Sequence, residues 1–105
     1  GSGAWVVALR EYGVEVVGFD PEPKSDSVVL GDAGVLAAYR NRSLLIIWPP
    51  DGGIIQDWID VWSGTTLAVC AQMFRLQCNL NGFNLIAECH LRGYKGGAPL
   101  RIWRC

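Results

Sequence analysis

Two short apolar runs constrain the fold of this chain more than any other feature. Residues 44–48 are apolar at every position and are followed by Pro49 and Pro50, which lack the N–H groups that a β-ladder needs. Residues 14–19 are rich in valine and carry apolar side chains on both faces. Strands of this kind are typical of parallel sheets whose two faces are both covered. We therefore expect a mostly parallel sheet.

Helical patterns alternate with these strands. Residues 5–12 repeat apolar side chains at i, i+3, i+4 and i+7, and Gly13 suits the left-handed residue that ends a helix. Residues 54–62 align Trp58 and Trp62 on one stripe and end at a Ser-Gly pair. Further segments extend the pattern: strands at 28–30 and 65–71, a helical turn at 33–40 and a helix at 72–81. The alternation predicts an α/β domain.

The end of the chain predicts an antiparallel hairpin. Residues 83–91 alternate, with Phe83, Leu85, Ala87, Cys89 and Leu91 expected on one face. A glycine-rich turn then leads to a last strand at 99–105. Strands joined this closely pair antiparallel. We expect residues 1–105 to form a single domain.

Composition excludes several classes of protein. Half of the residues are apolar and 18% are charged, which excludes a disordered chain. The longest apolar run, 44–50, is far shorter than the roughly 20 residues of a membrane span. The net charge of −1 gives no reason to expect nucleic acid or a membrane surface as a partner.

The cysteines do not form a metal motif. Cys70, Cys78, Cys89 and Cys105 are separated by seven, ten and fifteen residues, whereas zinc ligands usually come in close pairs. The single histidine, His90, follows Cys89 on a predicted strand, where neighbours point to opposite faces. We expect no metal site.

The residues alone allow two locations for the protein, outside the cell or in the cytoplasm. Four cysteines together with the sequon at Asn41 and Ser43 would suit a secreted protein. Cys70 and Cys89, however, lie in apolar strand patterns, where a free cysteine behaves as a small hydrophobe. We favour the reducing cytoplasm.

Candidate binding residues follow the predicted strands, because ligands bind beyond the carboxyl ends of strands in open α/β sheets. Asp20 can accept hydrogen bonds from both hydroxyls of a ribose, and Asp32 can accept one from an exocyclic amine. Glycine before a helix allows a ligand to approach the backbone closely. Together they favour a nucleoside-type ligand. The set is Gly1, Ser2, Gly3, Asp20, Gly31, Asp32, Trp48, Pro49, Pro50 and Asp51.

The same residues carry a resemblance to a known family. Residues 1–5 with 13–20 resemble the first motif and acidic second motif of class I S-adenosylmethionine-dependent methyltransferases, and residues 29–33 resemble the next strand-end motif. Residues 44–50 resemble the fourth-strand motif of a methyltransferase-like subgroup. The resemblance implies a Rossmann-like, mostly parallel sheet flanked by helices, with a C-terminal antiparallel hairpin.

The resemblance also implies roles for the candidate residues. Gly1 and Gly3, with Ser2 between them, would flank the methionine part of S-adenosylmethionine. Asp20 would hold the ribose hydroxyls, and Gly31-Asp32 would lie near adenine. Trp48, Pro49, Pro50 and Asp51 would face a methyl acceptor that the sequence does not identify.

Two departures from the family pattern qualify this expectation. The family's first strand has no counterpart, which predicts a domain incomplete at its N-terminus and weak or absent cofactor binding by this chain alone. Trp48 stands where amino-methylating members carry Asp or Asn before Pro-Pro, so base or amide methylation by the usual geometry is not expected. Alternatively, the strands at 14–19 and 44–48 could pair directly, or a strand from another chain, or a homo-oligomer through an exposed sheet edge, could fill the gap.

Each candidate functional residue also has an ordinary structural interpretation. Trp48, Trp58 and Trp62 suit a core or helix packing, and His90 suits a strand surface. An aspartate after a strand is commonly a turn or cap residue, and Gly1-Ser2 could be a cloning remnant. The alternative function is a non-enzymatic binding or interaction module of α/β fold. A small disulfide-bonded secreted protein is a third hypothesis.

Overall fold

A computed structural model of the chain describes residues 3–20, 22–47, 54–70, 80–90 and 99–105. The chain divides into two compact units, Gly1–Val35 and Leu36–Cys105. In the described part, no helix has the length and apolar character needed to cross a membrane.

The first unit contains a helix and a two-stranded parallel sheet. Helix α1 is Ala4–Glu11, and strands β1 (Phe19–Asp20) and β2 (Val29–Leu30) pair in parallel. The helix begins after Gly3, whose φ of 78° is left-handed and where a Cβ would strike Val28. Gly13 ends the helix region with φ of 80°, which confirms the predicted stop. Only the last residue of the strand predicted at 14–19 enters the ladder.

The second unit is built on a four-stranded mixed sheet. Its strands are β3 (Leu44–Ile47), β4 (Thr66–Cys70), β5 (Asn84–His90) and β6 (Pro99–Arg104), in the order β3-β4-β6-β5. Strands β3 and β4 are parallel and are linked through helix α2, Ile54–Trp62. Strand β6 pairs antiparallel with both β4 and β5, so the predicted antiparallel end of the chain is confirmed.

The core of this unit lies between α2 and one face of the sheet. The helix contributes residues at i, i+4 and i+7, and the sheet contributes cross-strand neighbours of β3, β4 and β6. The buried cluster comprises Ile46, Ile55, Ile59, Trp62, Leu67, Val69 and Trp103. Each fully buried aliphatic side chain of this kind stabilises the fold by roughly 1.5–3 kcal/mol. The core interpretation of Trp62 is confirmed, and Trp58 packs against the same cluster.

The expectation of a Rossmann-like, mostly parallel sheet flanked by helices is wrong. The described strands form two separate sheets, one parallel with two strands and one mixed with four. Within the described ranges β1 pairs only with β2, and β3 only with β4. Two strands belong to one sheet only where their backbone groups pair directly or through strands between them, and no described strand joins β1 to β3.

Strand β5 also departs from the predicted alternation. A register shift lies between Leu85 and Ala87, so Leu85 stands opposite Trp103 while Ala87 stands opposite Ile102. The extra residue of a bulge moves the following side chains to the other face. Leu85 and Ala87 therefore lie on different faces, and all seven residues of β5 are exposed.

The remaining predicted elements are close to the observed ones. A 3-10 helix at Ala33–Tyr39 replaces the predicted helical turn, and α2 has the predicted bounds. Most of the helix predicted at 72–81 lies outside the described residues, and its last two residues, Leu80 and Asn81, are not helical.

Candidate functional site

The first unit brings two of the predicted binding residues to neighbouring strand ends. Asp20 ends β1 and stands opposite Leu30, the last residue of β2. The N–H of Gly31 donates a hydrogen bond to the backbone carbonyl oxygen of Asp20 at 3.2 Å, which ties the two ends together. Because β1 and β2 are parallel, Asp20 and Asp32 lie at the same edge of this sheet.

The carboxylate of Asp20 closes a local turn. Its Oδ1 accepts a hydrogen bond from the backbone N–H of Glu22 at 2.7 Å. This is the turn role that aspartate commonly takes after a strand.

Asp32 starts the 3-10 helix. Its Oδ1 accepts a hydrogen bond from the N–H of Gly34 at 2.9 Å, and its carbonyl oxygen accepts one from the N–H of Val35 at 3.2 Å. The side chain is exposed, and its Oδ2 has no hydrogen-bond partner in the part of the chain that the structure describes. Asp32 therefore combines a capping role with an acceptor that faces solvent.

An open depression of about 380 Å³ lies beside Asp32 and is lined by Leu30, Gly31, Asp32 and Val35. Leu30 is 71% exposed, so the depression has a bare apolar surface next to a carboxylate. A Cβ on Gly31 would lie 3.0 Å from side-chain atoms of both Phe19 and Val35, so a larger residue here would require these side chains to shift slightly. Sequence reasoning missed Leu30 and Val35, although both flank the Gly31-Asp32 pair within two or three residues.

The other predicted site residues are not brought to this depression. A glycine is required at position 3 because its φ is positive and because a Cβ there would collide with Val28. The carbonyl oxygen of Gly3 accepts a hydrogen bond from the N–H of Val7 at 3.0 Å. The predictions for Gly1, Ser2, Trp48, Pro49, Pro50 and Asp51 fall outside the described residues.

The described cysteines are free thiols in different surroundings. Cys70 is buried, whereas Cys89 and Cys105 are exposed. Burial raises the pKa of the Cys70 thiol. Cys70 and Cys89 both stand opposite Leu100, on either side of β6, so their Cα atoms are about 10 Å apart, beyond disulfide range. The prediction that strand cysteines are buried holds for Cys70 and is wrong for Cys89.

An ionic cluster lies on the β5–β6 hairpin of the second unit. Arg101 Nε donates to Glu88 Oε2 at 2.6 Å, and His90 Nε2 lies 3.4 Å from Glu88 Oε1. The His90 side chain is 74% exposed, which confirms its predicted place on a strand surface. No set of three or more His, Cys, Asp or Glu side chains suited to a metal ion occurs among the described residues.

Comparison with protein-family models, with curated proteins and with solved structures finds no match to this chain.

Proposed function

We propose that this chain is a nucleoside-binding domain of the methyltransferase type, with S-adenosylmethionine as its cofactor. The observation that carries the proposal is the placement of Asp20 and Asp32 at the adjoining ends of two parallel strands, beside an open apolar depression. Ends of parallel strands are a common place for ligands in α/β proteins.

The depression fits the adenine part of such a ligand. Leu30 and Val35 offer an apolar surface for a flat ring, and Asp32 Oδ2 can accept a hydrogen bond from an exocyclic amino group. A carboxylate acceptor distinguishes adenine, which presents an amine, from a base that presents a carbonyl in the same place. The surface is open, so binding is expected to be weak.

Asp20 fits the ribose part. Asp20 and Asp32 lie on neighbouring backbone segments. Their Cα atoms are separated by one strand spacing across the sheet and by two residues along the chain, which together amount to about 8 Å. This separation suits a ribose at one carboxylate and the attached base at the other. Hydrogen bonds from hydroxyls to a charged carboxylate are stronger than neutral ones.

The chemistry of methyl transfer resides in the cofactor. S-adenosylmethionine supplies an electrophilic methyl group on a sulfonium, and a protein contributes chiefly by positioning. In this chain, Asp32 would orient the base and Asp20 the ribose. The acceptor-facing role of Trp48, Pro49, Pro50 and Asp51 is carried by the resemblance alone.

A titration of the chain with S-adenosylhomocysteine, followed by amide chemical shifts, tests this proposal. We expect a dissociation constant of about 1 mM, or roughly −4 kcal/mol, with shifts centred on Gly31, Asp32 and Gly34. Asp32→Ser retains a capping side chain but withdraws the carboxylate, and Asp20→Asn retains the turn but removes the charge. Each should weaken binding at least about tenfold, since a charged hydrogen bond contributes about 1.5–3 kcal/mol.

Asp26→Asn is the matched control, because Asp26 is an exposed aspartate in the loop before β2. Its affinity should equal that of the unmodified chain. Absence of shifts up to about ten times the expected dissociation constant, in a chain shown to be folded, would contradict the proposal.

A second candidate function is a non-enzymatic interaction module. The specific observation in its favour is β5, an edge strand whose seven residues are all exposed. Edge strands with free backbone groups are a common means of pairing with another chain.

We also propose a reducing compartment, the cytoplasm. The free thiols of Cys70, Cys89 and Cys105 support this placement. Counting thiols in the denatured chain tests it: four free thiols are expected, and any disulfide in the native material would favour the secreted alternative.

A further inference from the structure

Strand β5 is the uncovered edge of the four-stranded sheet. It lies outside β6 in the strand order, and every residue from Asn84 to His90 is exposed. Its apolar members share this exposure: Leu85 is 52% exposed and Ile86 is 50% exposed. In the described part of the chain, no strand pairs with its outer side.

The edge lacks the usual protection against pairing. Natural edge strands are commonly blocked by lysine, by proline or by a charge that projects into the approaching strand. Residues 84–90 contain neither lysine nor proline. The single carboxylate, Glu88, forms an ion pair with Arg101 of its own sheet at 2.6 Å. The bulge after Leu85 disturbs only the first half of the strand, so residues 87–90 remain regular.

The opposite edge of the sheet is different. Strand β3 has one buried and three half-buried residues, and it carries no ionisable side chain. A long and fully exposed edge is therefore found at β5.

We propose that residues 88–90 of β5 pair antiparallel with the same residues of a second copy of this chain, with Cys89 on the twofold axis. In this register Glu88 of each copy stands opposite His90 of the other. An antiparallel pair of identical edges extends the sheet through one self-complementary patch.

Charge complementarity selects both the second copy and the register. Glu88 and His90 lie on the same face of β5, two residues apart, and the sequence Glu-Cys-His is complementary to itself about its centre. A carboxylate opposite an imidazole N–H gives two identical cross-strand hydrogen bonds, each of a kind that stabilises sheets. The chain's net charge of −1 adds little repulsion between copies.

Two neighbouring registers are disfavoured by the same side chains. Centring the pair on Glu88 would put two carboxylates opposite each other. Centring it on Ala87 would pair residues before the bulge with residues after it, and these point to different faces.

This register places Cys89 of one copy opposite Cys89 of the other, where a disulfide bond can report the pairing. Directly opposite residues of antiparallel strands have Cα atoms about 4.5–5.5 Å apart, which lies within disulfide range. Mild oxidation of the concentrated protein should therefore link Cys89 to Cys89 of the second copy. The linkage forms one S–S bond from two thiols, and the added oxidant, diamide, takes up the two hydrogens.

Sedimentation equilibrium under reducing conditions measures the association itself. We expect a monomer–dimer equilibrium at protein concentrations up to about 1 mM. His90→Glu should raise the dissociation constant at least about tenfold, because it places like charges opposite each other. Adding Glu88→Lys to His90→Glu should restore association, because each introduced lysine then stands opposite an introduced glutamate. Asn84→Glu adds a carboxylate outside the paired residues and is the matched control.

Oxidation with diamide gives the second measurement. A cross-linked dimer should form with the unmodified chain and with Cys105→Ser, since Cys105 is the other exposed thiol among the described residues, and should be absent with Cys89→Ser. A chain that stays monomeric throughout, or a dimer that His90→Glu leaves intact and that lacks the Cys89 cross-link, would overturn the proposal. Neither measurement involves Asp20 or Asp32, so the outcome is independent of the nucleoside proposal.

Discussion

The indole Nε1 of Trp62 donates a hydrogen bond to the backbone carbonyl oxygen of Arg42 at 2.8 Å. This bond joins the end of α2 to the turn that precedes β3, twenty residues away in the chain. Trp62 is 1% exposed and its ring stacks on Phe83, with centroids 6.5 Å apart. A single side chain thus connects helix, turn and hairpin within the second unit.

Replacing Trp62 with phenylalanine should destabilise this unit by about 1–3 kcal/mol. The substitution keeps an aromatic ring but leaves the carbonyl of Arg42 without its donor and creates a small cavity. Urea unfolding followed by circular dichroism measures the loss. Trp58→Phe is the matched control, because Trp58 is only partly buried at the edge of the same core. A loss as large for Trp58→Phe would contradict the role given to the Trp62 hydrogen bond.

Gly64→Ala should lower the stability of the fold more than Gly13→Ala does. A Cβ at Gly64 would collide with the ring of Trp62 and would lie 2.6 Å from the backbone carbonyl oxygen of Arg40. We expect a loss of about 3 kcal/mol or more, since neither the ring nor the backbone can move aside easily.

Gly13→Ala provides the comparison for Gly64. Gly13 has a φ of 80°, but no atom lies within 4 Å of the position that a Cβ would take there. Only the backbone penalty of about 1–2 kcal/mol therefore applies. Thermal unfolding of the two variants separates the steric cost from the backbone cost. Equal losses would show that the space around Gly64 is not what restricts it.

Asp32→Ala should loosen the start of the 3-10 helix. The N–H of Gly34 loses its acceptor, and the loss of a cap of this kind costs about 1 kcal/mol. Faster amide exchange at Gly34 and Val35, with unchanged exchange in the second unit, is the expected result. Asp32→Ser should retain most of the protection, and equal exchange in the two variants would argue against capping.

Cys70 should make stability fall at alkaline pH. Burial raises the pKa of its thiol in the folded state, whereas an unfolded cysteine ionises at about pH 8.5. The stabilising contribution is complete below that pH and is lost as the pH rises toward the folded pKa. Urea unfolding between about pH 7 and pH 10 should show a steeper decline for the unmodified chain than for Cys70→Ala. The same decline in both chains would assign the effect to other groups.

The same burial predicts selective alkylation. Cys89 and Cys105 are exposed and should react with iodoacetamide in the native protein, whereas Cys70 should react only after unfolding. Mass spectrometry of the peptides resolves the three sites. Early modification of Cys70 would show that its strand opens readily.

Periodicity located most of the described elements because it depends on local side-chain order. The bounds of α2, the stop at Gly13 and the antiparallel end of the chain follow from patterns within a few residues. Asp20 and Asp32 are predicted after strands for the same reason; Asp32 lies two residues beyond β2, whereas Asp20 is itself the last residue of β1. Each carboxylate also accepts a hydrogen bond within a local turn, which is the structural interpretation that the sequence allowed beside ligand binding.

Those local patterns do not predict which distant strands pair with each other. The apolar run at 44–47 looks like a strand of a continuous parallel sheet, yet β3 pairs only with β4 in the described residues. The bulge in β5 also has no periodic signature, and it put Leu85 and Ala87 on different faces. The depression beside Asp32 depends on Val35 returning over the end of β2, a contact that the sequence does not indicate.

The sequence by itself determined the bounds of α2, the stop at Gly13, the antiparallel end of the chain and which side chains can accept or donate. These properties depend on backbone preferences and on neighbours within a turn or two. Only the tertiary structure decided that the strands form two sheets, that Trp62 reaches Arg42 and that β5 is bare. Those outcomes depend on backbone hydrogen bonds and close packing between residues far apart in the chain, for which many pairings of the same elements compete.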